Sequence, residues 1–243
     1  MTTPARNHFL RVSAALAAAD EDARPLSHAN GYELILAQLA DHRRQLKLVQ
    51  SVVRKAEVKR RMLPEYAAWV EGVLAADAGL QDEVLMTVMV WRIDVGDFAG
   101  ALPLAAYAIR HKLAMPDQYQ RTTACLIAEE VANYAIGQAT AGGPVDVESV
   151  EQVLRLVEQE DMPDEVRAKL HKALAYGLLA QLDKGFKGDA QAQRQQALTH
   201  LRRALELHEK CGVKKDIERI EREIKNAAPP GAPPSAPPGN GKS

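Results

Sequence analysis

Apolar residues recur at helical spacing along most of the chain, and the chain is organised around one stretch, residues 80–113. Its first half, 84–95, is apolar almost without interruption, and the pair Gly96-Asp97 and a second periodic run at 98–109 follow. A break of only two residues predicts two helices that lie back to back. The first helix is apolar around most of its circumference, so other helices or other subunits must cover it on several sides.

Similar spacing predicts further helices on both sides of this hairpin. They fall at residues 1–20, 30–62, 65–76, 123–139, 147–159, 166–182, 190–210 and 214–225. Two helix pairs, one joined at Gly96-Asp97 and one at Gly188-Asp189, follow a pattern similar to tetratricopeptide-type helix pairs. The predicted fold class is therefore all-α, with a long basic helical arm at the N-terminus followed by a bundle of helical hairpins.

The same pattern divides the chain into three parts. Residues 1–63 are expected to form a basic helical region for DNA binding or oligomerisation, and residues 64–226 the helical-hairpin bundle. Residues 227–243 are rich in Pro, Gly and Ala and hold no core-forming residues, so we expect a disordered tail. The tail ends in GNGKS, but a phosphate-binding loop needs glycine where Ala236 stands and a helix afterwards, so no ATPase is expected.

Composition and charge limit the partners. The 243 residues carry a net charge of −1, so nucleic-acid binding would need a local basic patch or many assembled copies. The two cysteines are isolated, which fits a reduced cytoplasmic compartment. No apolar run reaches the roughly 18 residues of a membrane-spanning helix, and the N-terminus lacks the pattern of a secretion signal. We therefore expect no membrane partner.

One local patch is strongly basic. Residues 41–61 hold eight lysines and arginines against Asp41 and Glu57, a net charge of +6. The eight cations are Arg43, Arg44, Lys47, Arg54, Lys55, Lys59, Arg60 and Arg61. Arg43, Lys47, Arg54 and Arg61 follow steps of four, seven and seven residues, which places them on one helical face. Such a row could follow a phosphate backbone, although the solvated face of a long helix explains the same charges equally well.

Two groups of acidic residues have the chemistry of a nuclease Mg²⁺ site. They are Asp94 with Asp97, and Asp161 with Asp164 and Glu165. The residues lie where helices are expected to begin, so we interpret Asp97 and the Asp161 group as helix caps that also complement the helix dipole. The seven histidines show no zinc-ligand spacing. The sequence therefore predicts no catalytic residue, no metal site and no cofactor.

Several blocks, in order along the chain, carry a resemblance to a known family. The central blocks are DEVLMTVM at 82–89 with WR at 91–92, then GD at 96–97 with AGAL at 99–102. The later blocks are DMPDEVRAKLHK at 161–172, and GVKK at 212–215 with IER at 217–219 and ERE at 221–223. RVSAA at 11–15 also agrees. On these residues, the chain resembles the small terminase subunit of P-two-like tailed bacteriophages, often named the terminase endonuclease subunit.

The resemblance implies a component of viral DNA packaging in the host cytoplasm. Small terminase subunits recognise the packaging site, here a cohesive-end site, and recruit the large subunit. The large subunit carries the ATP-driven motor and, in most terminases, the nuclease. Small subunits typically assemble into rings, so double-stranded viral DNA, the large subunit and further copies of this chain are the implied partners.

The family's endonuclease label implies that the chain takes part in cutting concatemeric DNA. None of the matching blocks is a catalytic motif, so we expect a non-catalytic recognition subunit rather than a nuclease. Two alternatives stay open, a helical-repeat adaptor that binds only protein and a true metal nuclease. Salt-dependent DNA binding would separate the recognition subunit from the adaptor, because contacts between cations and phosphates weaken steeply as salt rises. A metal nuclease would cleave cohesive-end DNA with Mg²⁺ or Mn²⁺ without the large subunit, and Asp94→Ala or Asp164→Ala would stop the cleavage.

Overall fold

The computed structural model describes residues 3–19, 26–116 and 120–227, and these ranges are helical without any strand. The helices are α1 Pro4–Ala19, α2 Leu26–Leu48, α3 Val52–Met62, α4 Ala67–Ala76, α5 Glu83–Asp94, α6 Phe98–Arg110, α7 Thr123–Thr140, α8 Val147–Leu156, α9 Asp164–Asp183, α10 Ala190–Leu207 and α11 Lys214–Ala227, with a 3₁₀ turn at Leu63–Tyr66. The all-α fold class is confirmed. Within the described ranges, no helix combines the length and the apolar character needed to cross a bilayer.

Helix α5 lies at the centre of the fold. Every residue from Val84 to Trp91 is buried, and so is Ile93. Helices α2, α3, α4, α6 and α7 all contact α5. The cover that the apolar pattern requires therefore comes from helices of the same chain. Because burial stabilises by about 25 cal/mol per Å² of apolar surface, this central helix is a main source of stability.

The break between α5 and α6 has the geometry that the sequence predicts. Gly96 adopts a left-handed φ of 76°, which glycine reaches without a steric penalty. The Asp97 carboxylate accepts the backbone N–H of Gly100 at 3.0 Å and pairs with Arg92 Nη1 at 2.6 Å. The prediction that Asp97 caps the second helix of the hairpin is confirmed.

Helices α7 to α11 form the C-terminal part of the bundle. Helix α9 contacts α7, α8 and α10, and α11 packs on α10. Helix α9 begins at Asp164, and both Asp164 and Glu165 lie in its first turn, where negative charge complements the helix dipole. The side-chain cap expected from the Asp161 group is wrong, because Pro163 occupies the N-cap position and no side chain bonds there.

The N-terminal arm is helical, but it is two helices. The single helix predicted over residues 30–62 is wrong, because α2 ends at Leu48 and α3 begins at Val52. Ser51 takes an extended conformation at the N-cap of α3, and its Oγ accepts the backbone N–H of Arg54 at 3.3 Å. A second helix start thus interrupts the arm at residues 49–51.

Two expectations about the domain organisation stay predictions. Helix α11 ends at Ala227, so the rest of the expected tail, residues 228–243, lies outside the described residues. Helix α1 packs on α4, across the expected boundary at residue 63. The contact joins the arm to the bundle, and the division into residues 1–63 and 64–226 stays a prediction.

Close packing of α1 on α4 depends on Gly72. A Cβ added at this position would collide with the carbonyl oxygen of Arg11 and would lie 2.8 Å from the Cβ of Ala14. The carbonyl oxygen belongs to the backbone of α1, so the clash could be relieved only if the helix moved. Glycine at this position therefore permits the close approach of the two helices.

Gly72→Ala should destabilise the protein by about 1–3 kcal/mol, the usual range for overpacking. Gly137→Ala is the matched control, since a Cβ there meets no heavy atom within 4 Å and alanine favours a helix by about 0.5–1 kcal/mol. Urea denaturation followed by circular dichroism measures both changes. Equal denaturation midpoints for the two variants would show that α1 does not dock closely on α4.

Two histidines meet between α9 and α10. The Nδ1 atoms of His171 and His200 are 3.0 Å apart, and the rings stack with their centroids 5.2 Å apart. Burial lowers the pKa of His171 to about 4, with smaller contributions from nearby positive charges, and burial also lowers the pKa of His200. The folded protein therefore holds both rings neutral, whereas an unfolded histidine binds a proton with an ordinary pKa of about 6.5.

Because the unfolded chain binds more protons at these two histidines, their burial makes the folded state less stable at low pH. The free energy of unfolding should therefore be unaffected by the pair above about pH 6.5 and should fall as the pH drops toward 4. His171→Gln should reduce this loss, whereas His8→Gln, at an exposed position, should leave it in place. Urea titrations at about pH 7.5 and about pH 4.5 measure the difference for each protein. A His171→Gln variant with the full wild-type loss would exclude the histidine pair as its cause.

Candidate nucleic-acid interface

The eight cations of residues 41–61 fall into two sets according to their partners. Four of them bond to other parts of the chain, and these are Arg43, Arg44, Lys59 and Arg60. The side chains of the other four form no ion pair or hydrogen bond with any residue in the described ranges. These four, called the free cations below, are Lys47, Arg54, Lys55 and Arg61.

Arg43 fastens α2 to the start of α5. Its guanidinium pairs with Glu83 and donates a hydrogen bond to Thr87 Oγ1 at 2.7 Å. Glu83 and Thr87 lie one turn apart on α5, so the fork of the guanidinium spans both partners. Arg43 therefore holds α2 against α5, and its positive charge is compensated by Glu83.

Lys59 and Arg60 fasten α3 to the other end of α5. The Lys59 side chain, which is only 16% exposed, pairs with Asp94, and Arg60 Nη2 donates to the backbone carbonyl of Val95 at 3.0 Å. Cations at this position also complement the negative end of the α5 dipole. The two helices of the arm are therefore held at opposite ends of one buried helix.

Arg44 is paired within α2. Its guanidinium lies 2.8 Å from the Asp41 carboxylate, three residues earlier on the same helix. Hydrogen bonds from Arg44 and then Gln45 lower the pKa of Asp41 below its ordinary value. The pair is exposed, so it contributes little to stability, but it cancels one positive charge of the arm.

The free cations lie at the break and along the exposed side of α3. Arg54 and Arg61 are seven residues apart and share one face of α3, on which Glu57 also lies. Lys55 is half-buried beside Arg54, and Lys47 belongs to the last turn of α2. The predicted row of four cations on one helix face is wrong, because the break separates its two halves and its first member is turned toward α5.

Sequence reasoning missed the break itself. The available signal was Ser51, a residue type that favours the N-cap position, followed by two β-branched valines. The signal is weak because Arg54, rather than Glu or Gln, stands at the third position of the new helix, so no capping box forms. Neither proline nor glycine marks the break.

The two acidic groups proposed as possible Mg²⁺ ligands lie at helix ends, where they form ion pairs, cap a helix or complement a helix dipole. Asp94 pairs with Lys59, and Asp97 pairs with Arg92 while it caps α6. The second group, Asp161, Asp164 and Glu165, is exposed around the start of α9. Among the residues that the structure describes, no three His, Cys, Asp or Glu side chains are grouped to hold a metal ion.

The architecture is that of a helical bundle that carries a basic two-helix arm. A family model described as phage small terminase subunit matches residues 36–165, a range that includes the basic segment and the central hairpin. The chain belongs to this family, and it is therefore a component of viral DNA packaging. The resemblance noted in the sequence is confirmed.

Two phage proteins are similar over most of their length. The chain is 48% identical over 230 residues to the "Terminase, endonuclease subunit" of Escherichia phage P2. The matched region covers 95% of this chain and 89% of that protein. It is 29% identical over 210 residues to the "Probable terminase, endonuclease subunit" of Haemophilus phage HP1 (strain HP1c1). This match covers 84% of this chain and 74% of that protein. No solved structure matches the chain.

The two sets of cations should respond differently to truncation. Arg43→Ala should destabilise the fold by about 1–2 kcal/mol, because it removes two bonds to α5 and leaves Glu83 without its partner. Lys47→Ala, four residues further along α2, should change stability by less than about 0.5 kcal/mol. Denaturant midpoints measure both. Equal effects would mean that Arg43 does not fasten the arm.

Proposed function

We propose that the chain is the DNA-recognition subunit of a phage terminase. It binds the cohesive-end packaging site of double-stranded viral DNA in the host cytoplasm. It recruits and regulates the large ATPase-nuclease subunit, and it takes part in the cut of concatemeric DNA as a ring-like homo-oligomer. Family membership supports this role, and the relatives from phages P2 and HP1 carry names that refer to the endonuclease step.

The free cations are the observation that carries the proposal. Lys47, Arg54 and Arg61 are exposed, and Lys55 is half-buried. None of the four forms an ion pair with a carboxylate in the described ranges. Unpaired cations on a helical arm can displace counterions from phosphates, which provides most of the free energy of non-specific DNA binding. The whole chain has a net charge of −1, so this binding is local to the arm.

We assign the bond-breaking chemistry to the large subunit. Asp94 and Asp97 are engaged by Lys59 and Arg92, so a metal ion would have to compete with existing ion pairs for them. Asp161, Asp164 and Glu165 are exposed around the start of α9, where negative charge already serves the helix dipole. In this proposal the chain takes part in the cut by placing the large subunit on the DNA.

Fluorescence anisotropy with a duplex from the cohesive-end region of the phage genome tests the DNA-binding role. For the wild-type chain, the logarithm of the binding constant should fall linearly with the logarithm of salt concentration. The triple variant Lys47→Ala, Arg54→Ala, Arg61→Ala should bind more weakly. Its salt slope should be shallower by about 0.9 for each phosphate that the variant no longer neutralises, roughly 2–3 for each bound chain.

The matched control is the triple variant Lys210→Ala, Lys215→Ala, Arg222→Ala. These three cations are exposed and also form no ion pair with described residues, but they lie near and on α11. Removing them changes the net charge equally, so unchanged binding would show that position rather than total charge matters. A wild-type chain that ignores the duplex even in dilute buffer would favour the protein-only adaptor.

A further inference from the structure

The break in the arm exposes three large aliphatic side chains. Leu48 is 84% exposed, Val52 is 80% exposed and Val53 is 72% exposed. Single exposed aliphatic residues are common on protein surfaces and need no explanation. Three within six residues, all at the junction of two helices, form a small apolar tip. We call residues 47–55 the elbow.

The tip is held in place by local structure. Leu48 ends α2, and Val52 and Val53 occupy the first turn of α3, whose N-terminus is capped by Ser51. Val49 donates its backbone N–H to the carbonyl of Leu46, which continues the turn beyond α2. The solvent-facing side of a helix usually carries polar residues, so exposed aliphatic residues at the adjoining ends of α2 and α3 are unusual.

Free cations stand on both sides of the tip. Lys47 precedes Leu48, and Arg54 and Lys55 follow Val53. An aliphatic wedge between cations is a combination that suits DNA, because the cations can contact phosphates while the apolar side chains enter between base pairs. Proteins that bend DNA from the minor groove insert side chains of this kind between base steps and partly unstack them.

We propose that the elbow inserts Leu48, Val52 and Val53 between neighbouring base pairs in the minor groove and kinks the packaging-site duplex. This inference rests on the proposed DNA-binding function and adds the manner of binding. Pyrimidine–purine steps such as TA unstack most easily, so the wedge should favour them. The chain would then recognise how easily the site deforms, besides its charge.

A contact between two elbows fits the observations less well. A stable protein–protein interface buries about 800 Å² on each partner, far more than three aliphatic side chains provide. A symmetric contact would also bring Lys47, Arg54 and Lys55 of one copy close to the same cations of the other, and like charges repel. Charge complementarity therefore favours a polyanion as the occupant.

The test uses the full-length chain and two duplexes of about 30 base pairs, one with several TA steps and one without any. Each duplex carries 2-aminopurine in place of adenine, at the TA steps in the first and within AA steps in the second. This base fluoresces more when it is unstacked. Wild-type protein at saturation should raise the emission of the TA duplex by about twofold or more and should affect the other duplex less.

The wedge variant is Leu48→Gln, Val52→Thr, Val53→Thr, which keeps every charge and the β-branched shape of both valines. It should lack the rise in emission and bind the TA duplex roughly tenfold more weakly, since apolar surface is no longer buried. Its salt slope should equal that of the wild type, because the same phosphates are contacted. Leu34→Gln, at another exposed leucine of α2 (62% exposed), is the control and should behave as the wild type.

The outcomes separate the two proposals. Salt-dependent binding without any rise in emission, with the wedge variant binding as tightly as the wild type, overturns the wedge and leaves the DNA-recognition role intact. A wedge variant that alters the native mass of the assembly but not the emission assigns the tip to contacts between copies and also overturns the wedge. No binding to either duplex in dilute buffer overturns both proposals.

Discussion

A buried carboxylate fixes the start of the central helix, and the other helices are arranged around that helix. Asp82, only 7% exposed, accepts the indole N–H of Trp69 at 3.0 Å and the backbone N–H of Leu85 at 2.7 Å. Burial raises the pKa of Asp82, while both donors favour the charged form. One bond ties α4 to α5 and the other caps α5, so a side chain without acceptors here would leave a buried indole N–H unpaired.

The position of α5 in turn determines the shape of the arm. Arg43 holds α2 at the start of α5 and Lys59 holds α3 at its end. At a rise of 1.5 Å per residue, a continuous helix would separate these two cations by about 24 Å, whereas Glu83 and Asp94 are separated by only about 16 Å along α5. A straight arm would therefore fit its two anchors poorly. The break at residues 49–51 relieves this mismatch, and the elbow between the anchors points away from the core with its aliphatic residues exposed.

The sequence predicts the bundle well because each of its signals is local. The apolar run and the Gly96-Asp97 pair locate the central hairpin, and the side chain that caps α6 belongs to the break itself. The same reasoning gives a wrong prediction for the arm, which is two helices rather than one. Leu46, Val49 and Val53 follow steps of three and four residues and so predict one amphipathic stripe, yet Leu46 is buried and Val53 is largely exposed. A periodic pattern can continue across a helix end by coincidence, and only the packing against α5 reveals which part of it faces the core.

Most of the charge compensation in the arm could not be predicted, because the partners are distant in sequence. The pair of Arg44 with Asp41, three residues apart on one helix, is the local exception. Arg43 and Glu83 are 40 residues apart, and Lys59 and Asp94 are 35 apart. Counting charges therefore overstates the electropositive surface, since half of the eight cations already bind carboxylates or a carbonyl group. Four free cations support only a few phosphate contacts for each chain, and a few contacts give weak binding at physiological salt. In the proposed function, the ring-like assembly compensates for this weakness, because linked copies raise the effective concentration of each further arm along the same DNA.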